Sequence, residues 1–183
     1  MGFQIEGADG LVASVIKTDG ENRLATAAVS EAYDRYYNKQ GLSYSVTYEG
    51  LTPTGANDYF FYLKNTGTKN INFTNLRISS TVATRITIEK VTGTAAGGST
   101  LASLNRNFGS SKTLTATIEQ GVDITGLTTG GVMFFEECAT ASTRYKLSTT
   151  SNLIIPQGQA IALKRVAATG ALTFTMSFVE EVI

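Results

Sequence analysis

A period of two governs what this chain can fold into. Leu42, Tyr44, Val46 and Tyr48 alternate with serine and threonine, and Leu172, Phe174, Met176 and Phe178 repeat the pattern near the other end. Successive side chains of a strand point to opposite faces, so such runs describe sheets with one dry and one wet face. The 27 threonines, mostly in or beside alternating apolar runs along the chain, suit half-buried strands and say little for helices.

Between the two runs the pattern recurs with punctuation. Residues 59–64 read as a strand ending in Asn65-Thr66-Gly67-Thr68, a tight turn. Ile71 and Phe73 share one parity while Leu76 and Ile78 share the other, which predicts an inserted residue, a bulge, near Thr74-Asn75. Ile86 and Ile88 begin a strand broken at residues 93–99, and residues 101–111 read as a long polar loop. Leu114, Ala116 and Ile118 alternate again before a turn-rich stretch at 121–131, with short strands expected at 132–135 and 145–147. Leu153, Ile154 and Ile155 run into the turn Pro156-Gln157-Gly158, after which Ile161 and Leu163 resume. Roughly eight to ten strands spaced by turns predict an all-β, antiparallel sandwich or barrel. No interval holds a convincing crossover helix, which argues against an α/β fold.

Residues 1–40 differ from the domain expected over 41–183. Leu11, Val12, Val15 and Ile16 form an apolar island between Asp9-Gly10 and Asp19-Gly20. Arg23 and Leu24 follow, and the spacing of Val29, Ala32, Tyr33, Tyr36 and Tyr37 suits one face of a short helix within 27–38. So few apolar anchors do not build a separate core, so this segment is expected to be an arm that lies on the main domain or on a neighbour. Tyrosine is enriched at protein interfaces, and the Tyr33, Tyr36 and Tyr37 cluster is weighted toward an intermolecular contact.

Composition argues against several function classes. The chain has no histidine, no tryptophan and one cysteine, Cys138, so an intrachain disulfide is impossible and a zinc site would need mostly carboxylates. No cofactor is expected. Glu136-Glu137 and Glu180-Glu181 each end an apolar strand, but neighbours on a strand face opposite ways, so neither doublet is a catalytic pair; solvated strand ends are expected. Without histidine or a Gly-x-Ser-x-Gly elbow, serine catalysis lacks its parts, and Ser111-Lys112, adjacent on the chain, cannot face each other. Gly97-Gly98 and Gly130-Gly131 read as turns, not phosphate loops, and Cys138 as a small buried or half-buried residue. No enzyme is expected. Fifteen basic and fifteen acidic residues cancel without a basic stripe, so nucleic acid is not an expected partner. No apolar stretch is long enough to span a bilayer and the first ten residues lack the pattern of a signal peptide, so neither a membrane nor secretion is expected.

Glu21-Asn22-Arg23-Leu24, the alanine- and valine-containing run after it, the strand from Gly41 to Tyr48 and Tyr62-Leu63-Lys64-Asn65 together resemble a group of small tailed-bacteriophage virion proteins. A looser echo lies in Leu153 to Leu163 around Pro-Gln-Gly. Those proteins are thought to decorate or cement the capsid surface. The resemblance implies a jelly-roll-like sandwich with an N-terminal arm, and a non-catalytic subunit on the outer capsid surface of a virion. The implied partners are the major capsid protein and the chain itself, as a homotrimer or another symmetric oligomer. The residues expected to make contacts are Leu11, Val12, Val15, Ile16, Arg23, Leu24, Tyr33, Tyr36 and Tyr37. A tail, neck or baseplate component is the alternative, and a carbohydrate-binding module the next.

Overall fold

The structure, a computed structural model, describes residues 4–6, 12–18, 24–26, 33–138, 144–147, 153–166 and 170–181. The chain forms two compact units, Met1–Tyr33 and Asp34–Ile183. In the first, β1 (Gln4–Glu6), β2 (Val12–Thr18) and β3 (Leu24–Thr26) make an antiparallel sheet with β2 in the middle. Residues 12–16 of the apolar island thus fall on β2.

Helix α1 (Tyr33–Lys39) falls in the second half of the helix expected within 27–38 and runs one residue past it; residues 27–32 lie outside the described residues. It ends for a local reason. Gly41, at φ 66°, lets its N–H bond to Asn38 O and the N–H of Leu42 to Tyr37 O, a Schellman cap that satisfies the last carbonyls.

The strands that follow are β4 (Ser43–Leu51), β5 (Tyr59–Asn65), β6 (Asn70–Ser80), β7 (Thr84–Ala96), β8 (Ser99–Thr100), β9 (Leu104–Asn105), β10 (Ala116–Cys138), β11 (Arg144–Leu147), β12 (Leu153–Ile155), β13 (Ala160–Arg165) and β14 (Leu172–Glu181). The long strands are shared between two antiparallel sheets. One runs β9-β4-β14-β6, with β11 and β12 sharing the outer edge of β6; the other runs β5-β13-β7-β10, with β8 on β10. First and last long strands are neighbours, as are second and second-to-last. This is the order of a jelly-roll-like sandwich, all β and antiparallel. The second sheet also closes on itself: β10 pairs with β5 over residues 116–124 and with β7 over 125–138, so β5, β13, β7 and β10 form a small barrel-like ring.

The inward side chains of both sheets meet in one core. Tyr44, Val46, Phe174, Met176 and Phe178 come from the first sheet, and Phe61, Leu63, Ile86, Ile88 and Leu163 from the second. The phase change in β6 is resolved as its sequence predicts. Phe73 opposes Phe178 and Asn75 opposes Ser177, so Thr74 is the inserted residue, and its hydroxyl donates to Ser177 O at 3.2 Å. Ile71 and Phe73 before the bulge, and Leu76 and Ile78 after it, are all buried.

Two expectations need correction. Residues 121–131 are not a chain of turns, and Gly130-Gly131 is not a turn. They lie within the 23-residue β10, whose register shifts at Gln120/Ile124, Thr125/Leu127 and Thr129/Gly131 absorb the glycines as bulges. Likewise β7 does not stop at Gly93 but runs to Ala96. The reason is a pair of facing glycines. Gly93 (φ 100°) and Gly126 (φ 76°) bring the backbones so close that a Cβ on Gly93 would stand 2.3 Å from Gly126 O, and one on Gly126 2.4 Å from Thr94 O. Gly93→Ala should therefore destabilise the domain by roughly 2–3 kcal/mol in chemical denaturation, from positive φ and from a clash with backbone that cannot turn aside.

Candidate functional site

The most exposed large apolar side chain among the described residues is Phe108, at 98 %. It sits in the segment between β9 and β10, which the sequence presents as a plain polar loop. Its neighbours Asn105, Asn107 and Ser110 give that segment a definite shape. The Asn105 side-chain amide donates to Gly41 O (2.9 Å) and Lys112 O (3.0 Å), while its oxygen accepts from Asn107 N (2.9 Å). Asn107 repeats the motif, its oxygen accepting from Gly109 N, and Ser110 Oγ accepts from Lys112 N. These are side chain-to-backbone bonds of the Asx type, which hold a turn without a core.

The loop is also fastened to its surroundings. Arg106 N donates to Ser43 O at 2.8 Å, Lys112 Nζ to Gln40 O at 2.8 Å and Asn107 Nδ2 to Lys39 O at 3.4 Å. Gly41 is needed here a second time, because a Cβ at that position would lie 2.2 Å from Ser110 Oγ. The result is a braced projection carrying exposed Phe108, with Leu104 (68 % exposed) at its base and exposed Arg106 and Lys112 on either side. Asn105→Ala should free the loop at a cost of about 1–2 kcal/mol. Amide exchange over 106–112 should rise strongly while exchange in β6 and β14 stays slow.

Of the residues singled out from sequence, Tyr36 and Tyr37 lie on α1, whose last turn touches this loop through Lys39. Tyr36 is 37 % exposed, Tyr37 is half-buried, and their rings meet edge-on at 5.3 Å. Tyr33 is the first residue of α1, but its side chain lies outside the described residues. Val12, Val15 and Ile16 are on β2 and Leu24 on β3; Val15 opposes Thr26, Thr18 opposes Leu24, and Ile16 falls at the register shift. Leu11 and Arg23 lie outside the described residues, as do the side chains of Glu136, Glu137 and Cys138.

A second cluster is buried on the far face of the second sheet, inside the ring. Glu89 is 0 % exposed, yet carries a full set of partners. Lys164 Nζ lies 2.8 Å from its Oε1, Thr87 Oγ1 donates to the same oxygen at 2.9 Å, and Tyr59 OH donates to Oε2 at 2.7 Å. Burial pushes the Glu89 carboxyl up, but Lys164, Tyr59, Thr129 and Thr87 together hold it below its ordinary value. Tyr59 is pushed up to about 12, by burial first and then by its bond to that carboxylate, and Lys164 Nζ lies 5.4 Å from the Tyr59 ring centre. Tyr62, Val91, Ile124, Ala160 and Ala162 pack as a second apolar core on this side. A carboxylate this well satisfied is a clasp between β5, β7 and β13, and is not poised for proton transfer.

Glu180 departs from expectation. It is not a solvated strand end but 7 % exposed, accepting from Thr115 N at 3.1 Å, with Lys69 Nζ at 3.9 Å. Tyr44, whose hydroxyl donates to Gly41 O, is pushed up to about 12 by its burial and by the nearby Glu180 charge. Among the described residues no three carboxylates or thiols group as a metal site, and no helix is long and apolar enough to cross a membrane.

Compared with known protein families, curated proteins and solved structures, the chain matches none of them.

Proposed function

We propose that this chain is a non-catalytic structural subunit of a virion, a decoration or cement protein that binds the major capsid protein on the outer surface of the shell. The observation that carries this reading is the pairing of a jelly-roll-like domain, complete with its own core, with a separate N-terminal unit of three short strands. In the proposed role, the N-terminal unit grips the shell through the region of Leu11, Val12, Val15, Ile16, Arg23 and Leu24, and the sandwich stands outward. Short strands suit such a grip, because strand pairing supplies main-chain hydrogen bonds and side-chain pockets supply specificity. The sequence resemblance carried by Glu21-Asn22-Arg23-Leu24, the strand from Gly41 to Tyr48 and Tyr62-Leu63-Lys64-Asn65 supports the same role.

Co-sedimentation with assembled shells of the partner capsid protein tests it. The full chain should pellet with shells and saturate at a fixed ratio. A chain beginning at Asp34 should stay in the supernatant while keeping its cooperative thermal transition. Equal pelleting of the two would remove the gripping role of the first unit, and no pelleting of the full chain would remove the capsid partner.

A further inference from the structure

We propose that copies of this chain associate head to tail, the Phe108 loop of one seating on the Val122–Asp123 end of the next. The contact is read from this chain alone and does not depend on the capsid reading.

Two complementary patches lie at opposite ends of β4. At its start, Arg106 N is bonded to Ser43 O, which places the Phe108 projection beside the first residue of the strand. Past its end at Leu51 the loop of residues 52–58 turns back, and Thr54 N donates to Val122 O at 3.2 Å. Nine residues of strand separate the two, about 26–30 Å at roughly 3.3 Å per residue, so the projection cannot reach the far patch of its own copy.

The far patch is an outward bulge with an apolar side chain and acidic neighbours. Between Gln120 and Ile124, three residues of β10 oppose a single residue of β5, so the backbone bows outward there. Val122 is 46 % exposed and Asp123 is exposed beside it. Asp58, held by Thr54 Oγ1 and Gly55 N, adds a second carboxylate next to the same loop. The projection offers the opposite: an aromatic anchor between Arg106 and Lys112. The chain as a whole is neutral, with fifteen residues of each sign, so the charge exposed at one end is balanced elsewhere on the same molecule.

The physics of association favours this arrangement. A fully exposed phenylalanine on a braced loop has already lost the loop entropy that binding would otherwise cost, and aromatic anchors dominate interface energetics. Flanking charges of opposite sign fix register and make the contact salt-sensitive. Because the two patches differ, the interface is heterologous and leads to a closed ring or an open row of copies.

Sedimentation velocity of the full chain over a concentration series is the test. The wild type should associate, less so as salt is raised. Phe108→Ser should weaken association by about tenfold or more with no loss of thermal stability, since the ring has no part in the core. Arg106→Glu and Asp123→Lys should each weaken it, and the double variant should recover much of the loss. A chain that stays monomeric at every concentration would overturn the proposal. So would association indifferent to Phe108→Ser and to the charge exchange, or binding of this loop to anionic vesicles or nucleic acid by a chain that never self-associates.

Discussion

Lys164→Ala is expected to destabilise the sandwich domain by about 3 kcal/mol. The substitution removes the cation from a carboxylate whose side chain is 1 % exposed, leaving Glu89 with hydroxyl donors only. Breaking a buried ion pair from one side costs more than the pair contributes, because the remaining charge has lost both water and partner. The expectation sits at the low end of the usual range because the Lys164 side chain is itself 21 % exposed, so water can reach the vacated place. Glu89→Gln in the Lys164→Ala background should recover part of the loss, since a neutral amide needs no cation. Additive losses in that pair of variants would mean that Lys164 acts through packing alone. The same clasp sets an acid limit. The Glu89 carboxyl is held below its unfolded value, so in the acid range the unfolded chain binds the extra proton first and stability rises with pH. The contribution is complete above an unfolded pKa of about 4.3 and is lost as pH falls through the lower folded value. Urea midpoints of the wild type should therefore drop more steeply below that pH than those of the Glu89→Gln variant.

Phe174→Ala should cost more, about 3–5 kcal/mol, and lower the melting temperature by roughly 10 °C. Phe174 is 1 % exposed and lies where the two sheets meet. Phe61 stands edge-on to it at 5.6 Å, Phe60 is tilted at 5.8 Å, and Tyr48 stacks at 6.3 Å. Three rings contributed by two different strands cannot all collapse into the space that a deleted ring leaves. A domain of this size is typically stable by only about 5–15 kcal/mol, so the variant should be partly unfolded well below the wild-type midpoint. Phe174→Leu, which keeps most of the volume, should lose far less. Equal losses for the two would mean that the site tolerates a cavity.

Much of the fold is legible in the sequence where burial is one-sided. The alternation in β4, β6 and β14 places each inward residue correctly, and the parity change in β6 locates its bulge, because a slip of one residue would turn a whole strand inside out. The same logic fails in β10. Glycines that mark turns in most contexts serve there as bulges in a strand long enough to pair with both β7 and β5, and only the facing carbonyl of Thr94 reveals why Gly126 is a glycine. Glu89 is hidden for a related reason. One carboxylate between Ile88 and Lys90 reads as the wet side of a strand, yet ring closure makes that side dry, and the partners come from residues 59, 87 and 164.

The candidate surface is half legible. The tyrosines of α1 draw attention by density. Phe108 leaves one faint signal, an aromatic residue alone in an otherwise polar run, and its exposure depends on bonds from Asn105 and Asn107 that composition cannot reveal.

The capsid role is tested most directly by cryo-electron microscopy of virus particles purified from cells that make this chain, with its jelly-roll-like domain placed in the density. The expected result is the sandwich at fixed positions on the outer shell, with density from residues 1–33 contacting the major capsid protein. Shell density that accommodates no copy of this domain would contradict the capsid assignment, whether the chain is then found in the tail or in no part of the particle.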